Sequence, residues 1–115
     1  HLLPIDINNG KSLRGEVIYI DRFGNIVTNI EKKFFYQKKA ERNFVIHLPR
    51  GEEIRVIHKT YNEVEDGDVL TLFNSSNFLE ISMNRADKNA KSGASTLLGI
   101  KIGDAVIIDF INQKI

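Results

Sequence analysis

Residues 17–30 read Val-Ile-Tyr-Ile-Asp-Arg-Phe-Gly-Asn-Ile-Val-Thr-Asn-Ile. This stretch places two runs of mostly β-branched and aromatic residues, at 17–20 and 26–30, on either side of a polar turn that contains a glycine. Side chains of these types favour extended backbone, and glycine supplies the positive φ that many tight turns require. The stretch therefore predicts two strands joined in a hairpin.

Short apolar runs separated by turn residues continue to the end of the chain. They predict further strands at 44–48, 53–59, 69–73, 78–83 and 105–111. The turn at 49–51 makes the first two of these a hairpin, with Ile54, Val56 and His58 on one face of its second arm. Short helices are predicted at 31–40 and within 86–95. Six or seven short strands with one or two short helices predict a mainly β fold, either a small barrel or a sandwich.

Length and composition indicate one soluble domain. The chain has 115 residues, of which 42% are hydrophobic, and a formal net charge of +1 from 16 basic and 15 acidic side chains. We take residues 1–13, which are rich in turn formers, as a linker or lead-in, and 14–115 as the β-barrel domain. The balanced charge argues against a nucleic-acid partner. The lack of cysteine fits a reducing compartment, and with no signal peptide or membrane-length apolar run we expect a cytoplasmic protein without a membrane partner.

Two polar loops between strands are the candidate binding elements. In the first, Asp21 can hold an ammonium group, and the Asn25 amide matches the donor and acceptor edge of adenine. The same residues also fit a plain hairpin, with Gly24 at positive φ and Asp21 capping the turn. In the second, 74–77, Asn-Ser-Ser-Asn can present hydroxyls and backbone N–H groups to a carboxylate, or can form a solvent-facing tight turn.

No catalytic set is complete in this sequence. The three histidines, His1, His47 and His58, are far apart, and two of them fall in strand-like runs. No spacing of potential ligands indicates a metal site, and no serine is paired with a base that could activate it as a nucleophile.

The two loops together resemble a known family. Residues 19–25 (Tyr-Ile-Asp-Arg-Phe-Gly-Asn) with 28–30 (Thr-Asn-Ile) are similar to the signature that opens the C-terminal domain of the S-adenosylmethionine hydroxide adenosyltransferase family. Residues 73–76 (Phe-Asn-Ser-Ser), 79–81 (Leu-Glu-Ile) and Asn84 resemble its later motif, and 98–99 (Leu-Gly) and 103–104 (Gly-Asp) fit its close. The family also contains fluorinating and chlorinating adenosyl enzymes. The resemblance covers about 15–108, in the family's order and spacing.

This resemblance implies a barrel rather than a sandwich, and a larger parent enzyme. The parent would hydrolyse S-adenosylmethionine to adenosine and L-methionine without a cofactor or metal. Its α/β N-terminal domain would activate the water, and the assembly would be a homotrimer with the site at a subunit interface. We expect the chain by itself to be inactive.

The resemblance also assigns roles to residues at matching positions. Asp21 would bind the methionine ammonium group, Asn25 the adenine, and Ser75 and Ser76 the methionine carboxylate. Tyr61 would stack near the adenine.

Four further positions are interpreted from the same resemblance. Asn84 and Arg85 would lie along the adenine edge, Arg85 mainly through its backbone. Val27 stands where the fluorinating relative has a larger aromatic residue, which favours water over halide. Asn77 replaces the family's usual glycine, and asparagine tolerates the left-handed φ required there.

Three alternatives remain at this point. A non-catalytic β-barrel could bind RNA or protein, although the balanced charge and the lack of interleaved basic and aromatic strand positions weigh against RNA. The chain could be the equivalent domain of a halogenating enzyme. It could also serve chiefly as an oligomerisation element.

Overall fold

The computed structural model describes residues 3–65, 67–84 and 93–112. Within these ranges the chain forms eight strands and two α-helices, so the predicted mainly β fold is confirmed. The elements are β1 (Ile5–Ile7), β2 (Ser12–Ile20), β3 (Ile26–Glu31), α1 (Lys32–Lys39), β4 (Asn43–His47), β5 (Glu53–Ile54), a 3₁₀ turn (Tyr61–Glu63), β6 (Val69–Phe73), β7 (Phe78–Met83), α2 (Ala94–Leu98) and β8 (Ala105–Ile111). No helix among the described residues is both long and apolar enough to cross a membrane.

The strands form one antiparallel sheet that closes almost completely into a barrel. Its order is β5-β4-β8-β2-β3-β7-β6, and β1 pairs with β2. The edge strands β5 and β6 face each other across a seam that contains a cavity of about 490 Å³, lined by Ile54, Val69 and Thr71 among others. The predicted barrel is therefore confirmed, with an open seam.

The core lies inside the curved sheet, beneath the β2–β3 hairpin. Leu13, Val17, Ile26 and Ile30 from β2 and β3 are fully buried there. Phe35 of α1 is also fully buried, so the helix packs its apolar side against this core. Burial of such side chains, each worth about 1.5–3 kcal/mol, holds the β2–β3 turn on a rigid base.

Residues 5–13 contain more regular structure than the sequence indicated. Residues 1–13 were predicted to be a lead-in, but Ile5–Ile7 form β1, in register with Ser12 to Arg14 of β2. β2 itself begins at Ser12, and Leu13 is fully buried. β1 forms by pairing of residues five to nine positions apart, and the turn-forming composition of this segment gave no sign of it.

The second arm of the predicted 44–59 hairpin is much shorter than expected. Only Glu53–Ile54 form a strand, and the predicted shared face fails because Val56 is 55% exposed. The chain leaves β4 here to reach the opposite edge of the barrel, where the His58 N–H donates to the Thr71 carbonyl of β6 at 2.6 Å. Of the helix predicted within 86–95, the residues up to 92 lie outside the described ranges, and α2 begins at Ala94.

Candidate functional site

The β2–β3 turn is built around mutual hydrogen bonds between Asp21 and Asn25. Asp21 Oδ1 accepts from the backbone N–H groups of Phe23 at 2.9 Å and Asn25 at 3.0 Å, and Oδ2 accepts from Asn25 Nδ2 at 3.0 Å. Gly24 has φ +80°. The predicted hairpin is thus confirmed. A carboxylate has about four acceptor positions, so this turn still leaves Asp21 capacity for one more donor.

This turn rests against the start of α2. The Gly24 carbonyl accepts from the Ser95 N–H at 2.8 Å. A Cβ atom on Gly93 would lie 2.1 Å from the Phe23 carbonyl oxygen, so the two backbones touch. The hydrogen bond and the close contact fix the position of the Asp21–Asn25 turn relative to the barrel.

The β6–β7 turn is held by the side chain of Asn74. Its Oδ1 accepts from the N–H groups of Ser76 at 2.9 Å and Phe78 at 3.1 Å. Asn77 has φ +67°, the left-handed conformation that was predicted for it. Ser75 and Ser76 are exposed, and their hydroxyls form no hydrogen bond within the described ranges. The Ser76 N–H is committed to the turn, so the two hydroxyls and the Ser75 N–H are the groups available to a ligand.

A buried carboxylate, that of Glu80 on β7, links Tyr61 to the β6–β7 turn. Glu80 is 7% exposed and accepts from Tyr61 Oη at 3.0 Å, Ser82 Oγ at 2.5 Å and Asn74 Nδ2 at 3.2 Å. Burial and, after it, the nearby Glu80 charge raise the pKa of Tyr61, and the Asp21 charge adds to this.

The sequence motif contained Glu80, but no role was predicted for it. The sequence did contain a signal that Glu80 is buried, because this acidic residue lies in a predicted strand directly between Leu79 and Ile81. An acidic residue rarely occupies a buried strand without several hydrogen-bond donors. Its donors, however, come from three separate places in the chain.

Strand β7 separates the two candidate loops. Ile26, just after the Asp21–Asn25 turn, pairs with Ile81, and Val27 pairs with Glu80. Ser75 and Ser76 precede the opposite end of β7, so about four residues of strand, or roughly 13 Å, lie between the two groups. No hydrogen bond within the described ranges joins them directly.

The remaining predicted site residues flank the Asn25 end. Asn84 follows β7 there, and its Nδ2 donates to the Val64 carbonyl at 2.9 Å, which ties down the segment after the 3₁₀ turn that carries Tyr61. Arg85 lies outside the described residues. The structure therefore groups Asp21, Asn25, Val27, Tyr61 and Asn84, and leaves Ser75 and Ser76 apart.

One other polar cluster contains a serine, an aspartate and a histidine, but their arrangement does not allow the histidine to activate the serine as a nucleophile. Asp109 Oδ1 accepts from Ser12 Oγ at 2.6 Å, and its Oδ2 lies 2.9 Å from His47 Nε2. The carboxylate sits between the other two groups, so the imidazole cannot take the serine proton. Among the described residues, no group of three or more His, Asp or Glu side chains is placed to hold a metal ion.

These features define a small antiparallel β-barrel domain with polar loops at opposite ends of one strand. A sequence profile described as "SAM hydroxide adenosyltransferase C-terminal domain" matches residues 15–107. The chain belongs to this family, which confirms the resemblance.

Two solved structures share the fold. An uncharacterized conserved protein from Thermotoga maritima is 30% identical, with a TM-score of 0.70 over 94% of this chain. A conserved hypothetical protein from Thermus thermophilus is 25% identical, with a TM-score of 0.58 over 96% of this chain. In both cases this chain covers 39% of the other chain, so it spans about two fifths of their length.

Proposed function

We propose that this chain supplies the adenine- and methionine-binding loops of an enzyme that hydrolyses S-adenosylmethionine to adenosine and L-methionine. Family membership supports the reaction class. The observation that carries the proposal is the Asp21–Asn25 pair, in which the carboxylate fixes the direction of the amide through a 3.0 Å hydrogen bond from Nδ2. A fixed amide recognises one hydrogen-bonding edge better than a freely rotating one.

In this proposal the 21–25 turn contacts both the adenine and the methionine ammonium group, and the 74–77 turn contacts the methionine carboxylate. Asn25 Oδ1 accepts from the adenine amino group, with Tyr61 and Asn84 beside the base. Asp21 uses its remaining acceptor position for the methionine ammonium group. Ser75 and Ser76 donate to the methionine carboxylate through their hydroxyls, and Arg85 contributes backbone contacts along the adenine edge.

The proposed reaction needs orientation from this domain and proton removal from elsewhere. The oxygen of water attacks the 5′-carbon, and the carbon–sulfur bond breaks with its electron pair moving to the sulfonium sulfur. The attacking water loses one proton, and methionine leaves as a neutral thioether. Because the sulfonium needs no protonation to leave, fixing and desolvating the substrate are the tasks that the barrel can perform.

The water-activating base belongs, in this proposal, to an N-terminal catalytic domain, with the site completed across a homotrimer interface. Neither a cofactor nor a metal takes part. Val27, which stands where the fluorinating relative has a larger aromatic residue, supports water rather than halide as the nucleophile. Adenosine release by the 115-residue chain alone is expected to be absent, and clear turnover would contradict this division of labour.

Replacing Asn25 by Ala in the protein at its full natural length tests the proposal. The KM for S-adenosylmethionine should rise about tenfold, the effect of losing one or two good hydrogen bonds to the base. Asn43→Ala is the matched control, because Asn43 is exposed on β4, away from both loops. Equal KM values for the two variants would overturn the proposal.

A further inference from the structure

The buried Glu80 carboxylate lies between the two candidate loops and is satisfied only by neutral donors within the described ranges. It is 7% exposed, and none of the ion pairs among these residues includes it. A buried charge without a counter-ion is retained only where several hydrogen bonds stabilise it. Its three donors come from the 3₁₀ turn, from the β6–β7 turn and from β7 itself.

The carboxylate sets the direction of the Tyr61 hydroxyl. An ionised carboxylate accepts hydrogen bonds and donates none, so the protons of Tyr61 Oη and Ser82 Oγ both point towards Glu80. The Tyr61 oxygen can then offer only lone pairs to any further group. Glu80 thereby makes Tyr61 a hydrogen-bond acceptor.

The same carboxylate fixes the β6–β7 turn. Asn74 Oδ1 is held by two backbone N–H groups, which cannot become acceptors. Asn74 Nδ2 therefore faces Glu80 and requires an acceptor there, which Glu80 Oε1 provides at 3.2 Å. The donor and the acceptor are therefore fixed in each hydrogen bond that connects the β6–β7 turn, through Glu80, to Tyr61.

We propose that Glu80 is a positioning residue for substrate binding, which holds Tyr61 as an acceptor on one side and the Ser75–Ser76 turn on the other. This inference rests on the proposed function, in which these groups contact opposite ends of the substrate. One carboxylate would then couple the adenine side of the site to the methionine side.

Glu80→Gln is the sharpest test, because it keeps the shape and places an amide donor where Tyr61 and Ser82 now share the acceptor Oε2. The glutamine oxygen can still accept from Asn74, while its amide donates to Tyr61 Oη and turns the tyrosine proton outwards. In the full-length protein the KM for S-adenosylmethionine should rise about three- to tenfold, with kcat changed by less than about twofold. The exposed Glu41, at the end of α1, provides the control variant Glu41→Gln, which should change neither constant.

Titration of Tyr61, followed by NMR of ring-labelled tyrosine, gives a readout that needs no substrate. Removing the Glu80 charge should lower the Tyr61 pKa towards its usual value. An unchanged Tyr61 pKa in Glu80→Gln would overturn the proposal, and so would an unchanged KM in Tyr61→Phe, which keeps the test decisive if Glu80→Gln does not fold.

A double-mutant cycle separates this inference from the proposed function. If Glu80 acts through Tyr61, the KM effects of Glu80→Gln and Tyr61→Phe should be clearly less than additive, and additivity would refute the coupling. If Asn25→Ala leaves KM unchanged, the proposed function itself fails. If Asn25→Ala raises KM and Glu80→Gln does not, only the role of Glu80 is refuted.

Discussion

Asp21 and Asn25 orient each other within a single turn. The Asp21 carboxylate accepts both the backbone N–H and the side-chain Nδ2 of Asn25, each at 3.0 Å. The Asp21 N–H in turn donates to the Asn25 carbonyl at 3.1 Å. The two side chains proposed to contact opposite parts of the substrate are therefore one rigid unit, and a change in one should disturb the other.

Asp21→Asn is expected to loosen this unit. The new amide would place an N–H group against Asn25 Nδ2 or give up a backbone hydrogen bond, so the free energy of unfolding should fall by about 1 kcal/mol. Urea denaturation measures this. Asp68→Asn is the control, since Asp68 is exposed and its side chain forms no hydrogen bond within the described ranges. Equal stability of the two variants would contradict the mutual orientation.

Gly93→Ala should be strongly destabilising. The added Cβ would lie 2.1 Å from the Phe23 carbonyl oxygen, which is backbone and cannot swing aside. We expect a loss of more than about 2 kcal/mol in the free energy of unfolding. Gly51→Ala provides the comparison, because Gly51 has φ +99° but open space around it and should cost only about 1 kcal/mol. Similar losses in the two variants would show that the contact with Phe23 can relax.

At position 77 the backbone conformation, not the side chain, should determine stability. Asn77 has φ +67°. Asn77→Gly is expected to change the free energy of unfolding by less than about 0.5 kcal/mol, and Asn77→Val to lower it by about 1–2 kcal/mol, because β-branched residues avoid this region. Thermal unfolding of both variants checks this. A well-tolerated valine would mean that the turn has changed its conformation.

Alkaline pH should weaken the fold through Tyr61. Its pKa is raised above the usual tyrosine value of 10.0, first by burial and then by Glu80. The folded state therefore holds the phenol proton more tightly than the unfolded state. The corresponding stability is complete below about pH 10 and is lost as the pH rises through the folded pKa. Tyr61→Phe should flatten this part of the stability profile, and an unchanged alkaline slope would contradict it.

Acid should release the 3₁₀ turn that carries Tyr61. The backbone N–H groups of Thr60 and Lys59 donate to Glu63 Oε2 and hold the pKa of Glu63 below 4.5. The stabilisation is present above 4.5 and is lost as the pH falls through the lowered pKa. The Thr60 amide chemical shift should titrate with that midpoint in the native protein, and should not do so in Glu63→Gln.

Local pattern was enough to predict several elements. The strands at 69–73, 78–83 and 105–111 have the predicted bounds, because each is a run of largely apolar, strand-favouring residues ended by turn residues. Gly24 and Asn77 adopt positive φ as expected. The strand predicted at 53–59 is wrong beyond Ile54, because the chain turns away from β4 towards β6. Alternation of apolar and polar residues does not show which edge of the sheet a segment joins.

Turn preferences and motif spacing are set within a few residues, and they were enough to predict the 17–30 hairpin, its Asp21 cap and the family. The three-dimensional arrangement was needed to find that Ser75 and Ser76 lie at the other end of β7 from Asn25, and that Glu80 joins Tyr61 to Asn74. Sheet register and burial, which depend on residues distant in the chain, determine where a carboxylate finds its donors. The hairpin is thus a local property, and the site built on it is a property of the whole barrel.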